Sequence, residues 1–131
     1  MIKHESKSSI LLRHWLIANP FYTCALEMKD TRGKSSLLFS EVKEAQRRFL
    51  MAIKSDKGVL LRVEAIVEGM PDYIYMRNEP ALIPIKYPSC IALIDVETFI
   101  LEDKRSTRRS LTDGRARDIA VKVIELRKKG I

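Results

Sequence analysis

In the stretch "TCALEMK", Glu27 and Lys29 are spaced to act together. Alternation along a strand over Thr23–Lys29 points Cys24, Leu26 and Met28 to one face, and Thr23, Ala25, Glu27 and Lys29 to the other. A carboxylate at a strand's end can hold a divalent cation through oxygen. A partly desolvated lysine beside it can steady a phosphate or orient an attacking water. Metal-assisted phosphodiester hydrolysis uses such groups. The same spacing also suits an ion pair on a solvated strand face.

The elements around this pair follow from periodicity. Leu11, Trp15 and Ala18 predict a helix over Ser6–Ala18, stopped by Asn19-Pro20. Residues 30–39 read as a loop with Gly33 at its turn. Ser40 is the expected N-cap of a helix to about Lys54, with Val42, Ala45, Phe49, Leu50 and Ile53 inside. After a turn at 56–58, "GVLLRVEAIVEG" and "YIYMRN" read as strands, and "MPDY" as a turn. Pro84 and Pro88 make "ALIPIKYP" an edge strand or an irregular segment. "CIALID" is a buried strand, and Val96–Leu101 fits either strand or helix. Residues 104–112 read as a mobile basic loop. Thr112 or Asp113 opens a last helix with Ala116, Ile119, Ala120 and Val123 as its buried stripe. The expectation is a single domain over residues 1–131, α/β with α+β possible.

The 131 residues carry a net charge of +7. That favours an anionic partner, nucleic acid being the common one, or else a solvated basic face. No apolar run is long enough to cross a bilayer, and no signal peptide is read, so the expected home is cytoplasmic. Cys24 and Cys90 sit in apolar runs, as reduced, buried thiols do. His4 and His14 with those cysteines give no zinc spacing. Phosphate-loop, dinucleotide and nucleophile-elbow patterns are missing from the sequence. Trp15, Tyr73 and Tyr75 suit core or half-buried positions.

Glu27-x-Lys29 is followed by Thr31, Lys34, Ser35-Ser36, and then a helix bearing Glu44 and Gln46. This ordered set resembles the PD-(D/E)XK nuclease superfamily, and within it the RecU-type Holliday junction resolvases, over roughly residues 23–70. The resemblance implies a restriction-endonuclease-like core, a mixed β-sheet flanked by helices. It implies Mg²⁺- or Mn²⁺-dependent cutting of branched or four-way DNA by a homodimer, whose twofold axis relates two nicks. Carried over by position, Glu27 is a metal ligand, Lys29 the catalytic lysine and Gln46 a site-facing residue. Lys34, Ser35 and Ser36 touch DNA phosphates. Arg47, Arg48, Arg105, Arg108 and Arg109 flank these in sequence and are expected to add phosphate contacts.

One departure stands out. The family's metal-binding aspartate precedes the E-x-K strand, and here no Asp or Glu occurs from Ser6 to Leu26. Glu5 and then Glu44 are the first choices to complete the metal site. The alternative is a catalytically degenerate or non-catalytic nucleic-acid-binding or assembly protein with the same fold.

Overall fold

The computed structural model describes residues 25–63 and 72–126. The expected N-terminal helix, Glu5, both histidines, Trp15, Cys24 and the side chain of Tyr73 lie outside the described residues. In chain order the elements are β1 (Ala25–Leu26), β2 (Lys29–Asp30), β3 (Ser36–Leu38), a 3-10 turn (Phe39–Glu41), α1 (Glu44–Lys54), β4 (Val59–Val63) and β5 (Asp72–Met76). They continue with β6 (Ala81–Lys86), β7 (Cys90–Asp95), α2 (Val96–Arg105), β8 (Ser110–Thr112), α3 (Asp113–Ile119) and β9 (Lys122–Glu125). The architecture is a mixed sheet with helices, of the α+β kind.

The main sheet runs β1/β2, β6, β7, β9, parallel at the first junction and antiparallel at the others. β6 and β7 are buried along nearly their whole length, as strands covered on both faces are. β6 is therefore an interior strand, contrary to the edge position that its prolines suggested.

Pro84 nevertheless leaves a mark. β1 and β2 keep one register along β6, with Ala25 opposite Ala81 and Lys29 opposite Ile85. The Glu27 N–H donates to the Leu82 carbonyl at 3.1 Å and the Thr31 N–H to the Lys86 carbonyl at 3.1 Å. By the same ladder the Glu27 carbonyl should receive the N–H of residue 84, which proline lacks. The strand is split at Glu27-Met28 without a slip in register.

The two sheet faces are covered differently. Ala81, Ile83, Ile85, Ala92 and Ile94 join Leu50, Phe99, Leu111 and Ala116 in the main core. Leu82, Ile91 and Leu93 form a smaller cluster on the other face, with Leu26 and Met28 against it. Glu27 and Lys29 alternate with Leu26 and Met28, so they share the face of the main core.

Other expectations need adjusting. α1 begins at Glu44 with Lys43 as N-cap, not at Ser40, because residues 36–41 form β3 and the 3-10 turn. Leu50 and Ile53 are buried as expected, Val42 is buried ahead of the helix, and Ala45 and Phe49 are exposed. The proposed basic loop shrinks to 106–109, since Lys104 and Arg105 finish α2 and Ser110–Thr112 form β8. Thr112 caps α3 by accepting the Arg115 N–H. That helix stops at Ile119, and Val123 lies in β9. Asp72 opens β5 instead of sitting in a turn. Tyr75 is exposed and donates its hydroxyl to the Lys57 carbonyl. Cys90 is a buried free thiol, as read from its apolar run. No helix among the described residues is long and apolar enough to cross a membrane.

Candidate functional site

Glu27 and Lys29 stand on one sheet face, with Lys29 Nζ 3.6 Å from Glu27 Oε1. Gln46, in the first turn of α1, donates from Nε2 to the same oxygen at 2.7 Å. Its Oε1 accepts the Lys43 N–H at 3.0 Å, so the amide that caps the helix can present only its NH₂ to the strand. The helix N-terminus thereby fixes one oxygen of Glu27. Glu27 Oε2 has no hydrogen-bond partner among the described residues. Both charged side chains are half-buried at the rim of the core.

Thr31 is two residues on along the same face. It is only 6% exposed, and its hydroxyl lacks a hydrogen-bond partner among the described residues. Beyond it the chain reverses through Arg32 and Gly33, with φ of 56° and 84°, the pair of positive φ angles that marks a type I′ turn. The Lys34 N–H closes the turn on the Thr31 carbonyl at 3.2 Å. Asp30 Oδ1 accepts the Arg32 N–H at 2.7 Å, supporting an arginine in a conformation that usually falls to glycine or asparagine. Asp30 is thus a turn residue and points away from the Glu27 face.

The turn delivers exposed Lys34 and Ser35 and half-buried Ser36 to β3, which pairs antiparallel with β8. Ser36 lies opposite Thr112, and the Ser35 carbonyl accepts the Asp113 N–H at 2.8 Å. Two basic segments far apart in sequence become neighbours across this ribbon. Sequence reasoning missed the pairing because a three-residue strand has too few positions to show alternation.

Beside the ribbon is a cleft of about 460 Å³, lined by Arg105, Arg108 and Arg115 and by the hydroxyls of Ser106, Thr107 and Thr112. Arg115 is held by Glu102 in a two-point pair of 2.7 and 3.0 Å. The hydrogen bonds from Arg115 hold the Glu102 carboxyl below its usual range, although burial opposes this. Arg105, Arg108 and Arg109 are exposed.

Two expected site residues belong elsewhere. Arg47 is not a surface phosphate contact. It donates to Asp103 at 2.7 Å, to the Phe39 carbonyl at 2.7 Å and to the Val42 carbonyl at 3.0 Å, and its guanidinium lies 5.1 Å from the Phe99 ring centroid. It ties α1 to α2 and to the 3-10 turn. Its neighbour Arg48 is exposed. Glu44 is no metal ligand beside Glu27: it lines a groove with Arg48 and Lys104, while Gln46, about 200° around the helix, faces the strand.

These placements bear on the metal that the resemblance implies. Glu27 Oε2 is a suitable hard oxygen donor. Among the described residues no three His, Cys, Asp or Glu side chains converge, and Glu27 is the one carboxylate placed at this site. The described residues therefore supply half of the two-carboxylate set expected for Mg²⁺.

Compared with protein-family models, curated proteins and solved structures, the chain matches none.

Proposed function

We propose that this chain is a structure-selective DNA endonuclease resembling the RecU-type Holliday junction resolvases, with a restriction-endonuclease-like core. In this reading it hydrolyses phosphodiesters with Mg²⁺ or Mn²⁺, acts as a homodimer on branched or four-way DNA, and resides in the cytoplasm. The observation that carries it is the convergence of Glu27, Lys29 and Gln46, three residues that the family's motif names and that a strand and a separate helix must bring together.

Glu27 would offer the cation its Oε2, which has no partner among the described residues, while Gln46 holds the other oxygen. A bound Mg²⁺ would supply Lewis-acid polarisation of the scissile phosphodiester. Lys29, 18% exposed and beside the carboxylate, is placed to steady a phosphate oxygen or orient a water. Lys34, Ser35 and Ser36, beyond the turn that ends this strand, would contact the DNA backbone, and Arg48, Arg105, Arg108 and Arg109 would add cations. Glu5 is the remaining choice for a second carboxylate.

That the described residues place one carboxylate at the site favours a second reading, a degenerate relative that binds branched DNA without cutting it. Labelled four-way junction and duplex, incubated with Mg²⁺ or Mn²⁺, separate the two. Junction nicking that Glu27→Ala removes supports the endonuclease. Tight junction binding without nicking in either ion supports the second reading and ends the first.

A further inference from the structure

α1 has a third side. Glu44, Arg48, Met51, Ala52 and Ser55 recur at helical spacing and form one wall of a groove of about 640 Å³. Ile100 and Lys104 of α2 form the other wall, and Lys57 with Gly58 closes one end. The two helices are antiparallel. Lys54 meets Asp95 at 2.8 Å and Glu97 at 3.2 Å at one end, and Arg47 meets Asp103 at 2.7 Å at the other. The groove is therefore the outward valley between two packed helices, which is where ridges of a third helix seat.

Its lining has a distinct chemistry. The floor is Met51, Ala52 and Ile100, half-buried and apolar, and methionine adapts to varied apolar shapes. The rim is cationic at both ends, with Arg48 and Lys104 at one and Lys57 at the other. The charged ends of these three side chains have no ion-pair or hydrogen-bond partner among the described residues. Glu44 is the one carboxylate of the lining. A basic rim around an apolar floor complements a helix with an apolar stripe flanked by carboxylates. α1, with 11 residues, spans about 16 Å, room for about three turns of such a helix.

We propose that the α1–α2 valley docks an amphipathic, acidic helix of a partner protein. The surface lies apart from the Glu27 site, shares only Arg48 with the DNA contacts proposed above, and does not depend on the nuclease reading. Apolar contact with Met51 and Ile100 gives affinity, and the cations at the two ends set register. The nearest alternatives are a second copy of this chain and nucleic acid on the cationic rim.

The test uses a fluorescein-labelled 14-residue peptide with leucines at i, i+3, i+4 and i+7 and glutamates on both flanks, titrated with the full-length protein and read by anisotropy. Met51→Glu should weaken binding more than 10-fold. The exposed-site double variant Lys57→Glu/Lys104→Glu, which leaves the floor intact, should also weaken it more than 10-fold. A peptide with lysine in place of each glutamate should restore binding to that double variant. The proposal is overturned if a peptide of the same composition without the helical repeat binds as well, or if neither variant changes affinity. It also falls if Met51→Glu converts a dimer to a monomer, making a second copy the occupant. Loss of duplex-DNA affinity with peptide binding unchanged would assign the rim to nucleic acid and overturn it too.

Discussion

The E-x-K strand and the segment from Arg105 to Arg117 are both dense in charge, yet they hold that charge differently. At the strand, one carboxylate is shared by Lys29 and Gln46 at the rim of the core, and its second oxygen has no partner among the described residues. In the C-terminal segment, Arg115 is paired with Glu102 and Arg117 with Glu125, while Arg105, Arg108 and Arg109 face solvent. The net charge is a poor guide to which cation can meet a ligand. Pairing and burial decide it, residue by residue. A half-buried cluster with an unfilled acceptor suits chemistry at one point, whereas exposed arginines suit screened, additive contact with a polyanion.

The largest effect that would sharpen this contrast is on cutting. Glu27→Ala should lower junction nicking by on the order of 10²–10³ or more, leaving junction affinity unchanged or raised. Lys29→Ala should reduce the rate more than the affinity. Arg115→Ala and Arg117→Ala, whose guanidinium groups are already paired, should leave the rate within about threefold. Single-turnover nicking of a labelled four-way junction measures all of these. An Arg115 defect as large as that of Glu27 would break the distinction between the two regions.

The adjacent pair Arg47 and Arg48 carries the contrast into stability. Arg47→Ala removes a half-buried ion pair, two carbonyl contacts and the packing on Phe99, so it should cost about 2–3 kcal/mol. Arg48→Ala, at an exposed position, should stay within about 0.5 kcal/mol. Urea unfolding followed by circular dichroism measures both. Equal losses would place Arg47 among the surface cations after all.

That pair also shows what was legible in the sequence. "QRR" carries no sign of which arginine turns inward, because Arg47's partners Phe39, Val42 and Asp103 come from two other elements. The shared face of Glu27 and Lys29 was legible, since strand alternation is local and needs no partner. Gln46 entered through the order of the motif, and its contact with Glu27 is tertiary. The buried "CIALID" strand and the Thr112 cap were readable for the same local reasons. β6 was not: a proline demotes a strand locally, and only the parallel neighbour shows that its missing N–H faces one carbonyl. The helix start was misplaced because Ser40 is a good N-cap residue, but β3 pairs with β8 and the chain then turns through the 3-10 segment, delaying the helix.

Salt dependence should separate the exposed arginines from the paired ones. Arg108→Ala and Arg109→Ala should each lower the slope of log K against log salt by about 1 for junction or duplex DNA. Arg115→Ala should change it less, because Glu102 already neutralises that guanidinium. Anisotropy titrations from low to physiological salt measure the slopes. A slope unaffected by Arg108 and Arg109 together would remove this segment from the DNA surface.

The smallest expected effect is a titration in the C-terminal half. Burial pushes the Cys90 thiol up; nearby Arg117 opposes this, while Asp113 and Glu125 add to it. In the unfolded chain the thiol ionises near its ordinary value of about 8.5. The folded state therefore favours the protonated thiol more than the unfolded state does. Its contribution to stability is full below the unfolded value and is lost as pH rises through it toward the folded value. A Cys24→Ser background removes the other thiol, and stopping at pH 9.5, below the ordinary phenol value of about 10, keeps tyrosine ionisation to a minor share. Unfolding free energy should fall between pH 7.5 and 9.5 in that background, and the fall should be shallower when Cys90→Ala is added. Arg117→Ala removes the one cation among the described residues that favours the thiolate, so it should raise the folded thiol value further and steepen the fall. An unchanged or shallower fall in Arg117→Ala would show that the Arg117 charge does not act on the thiol.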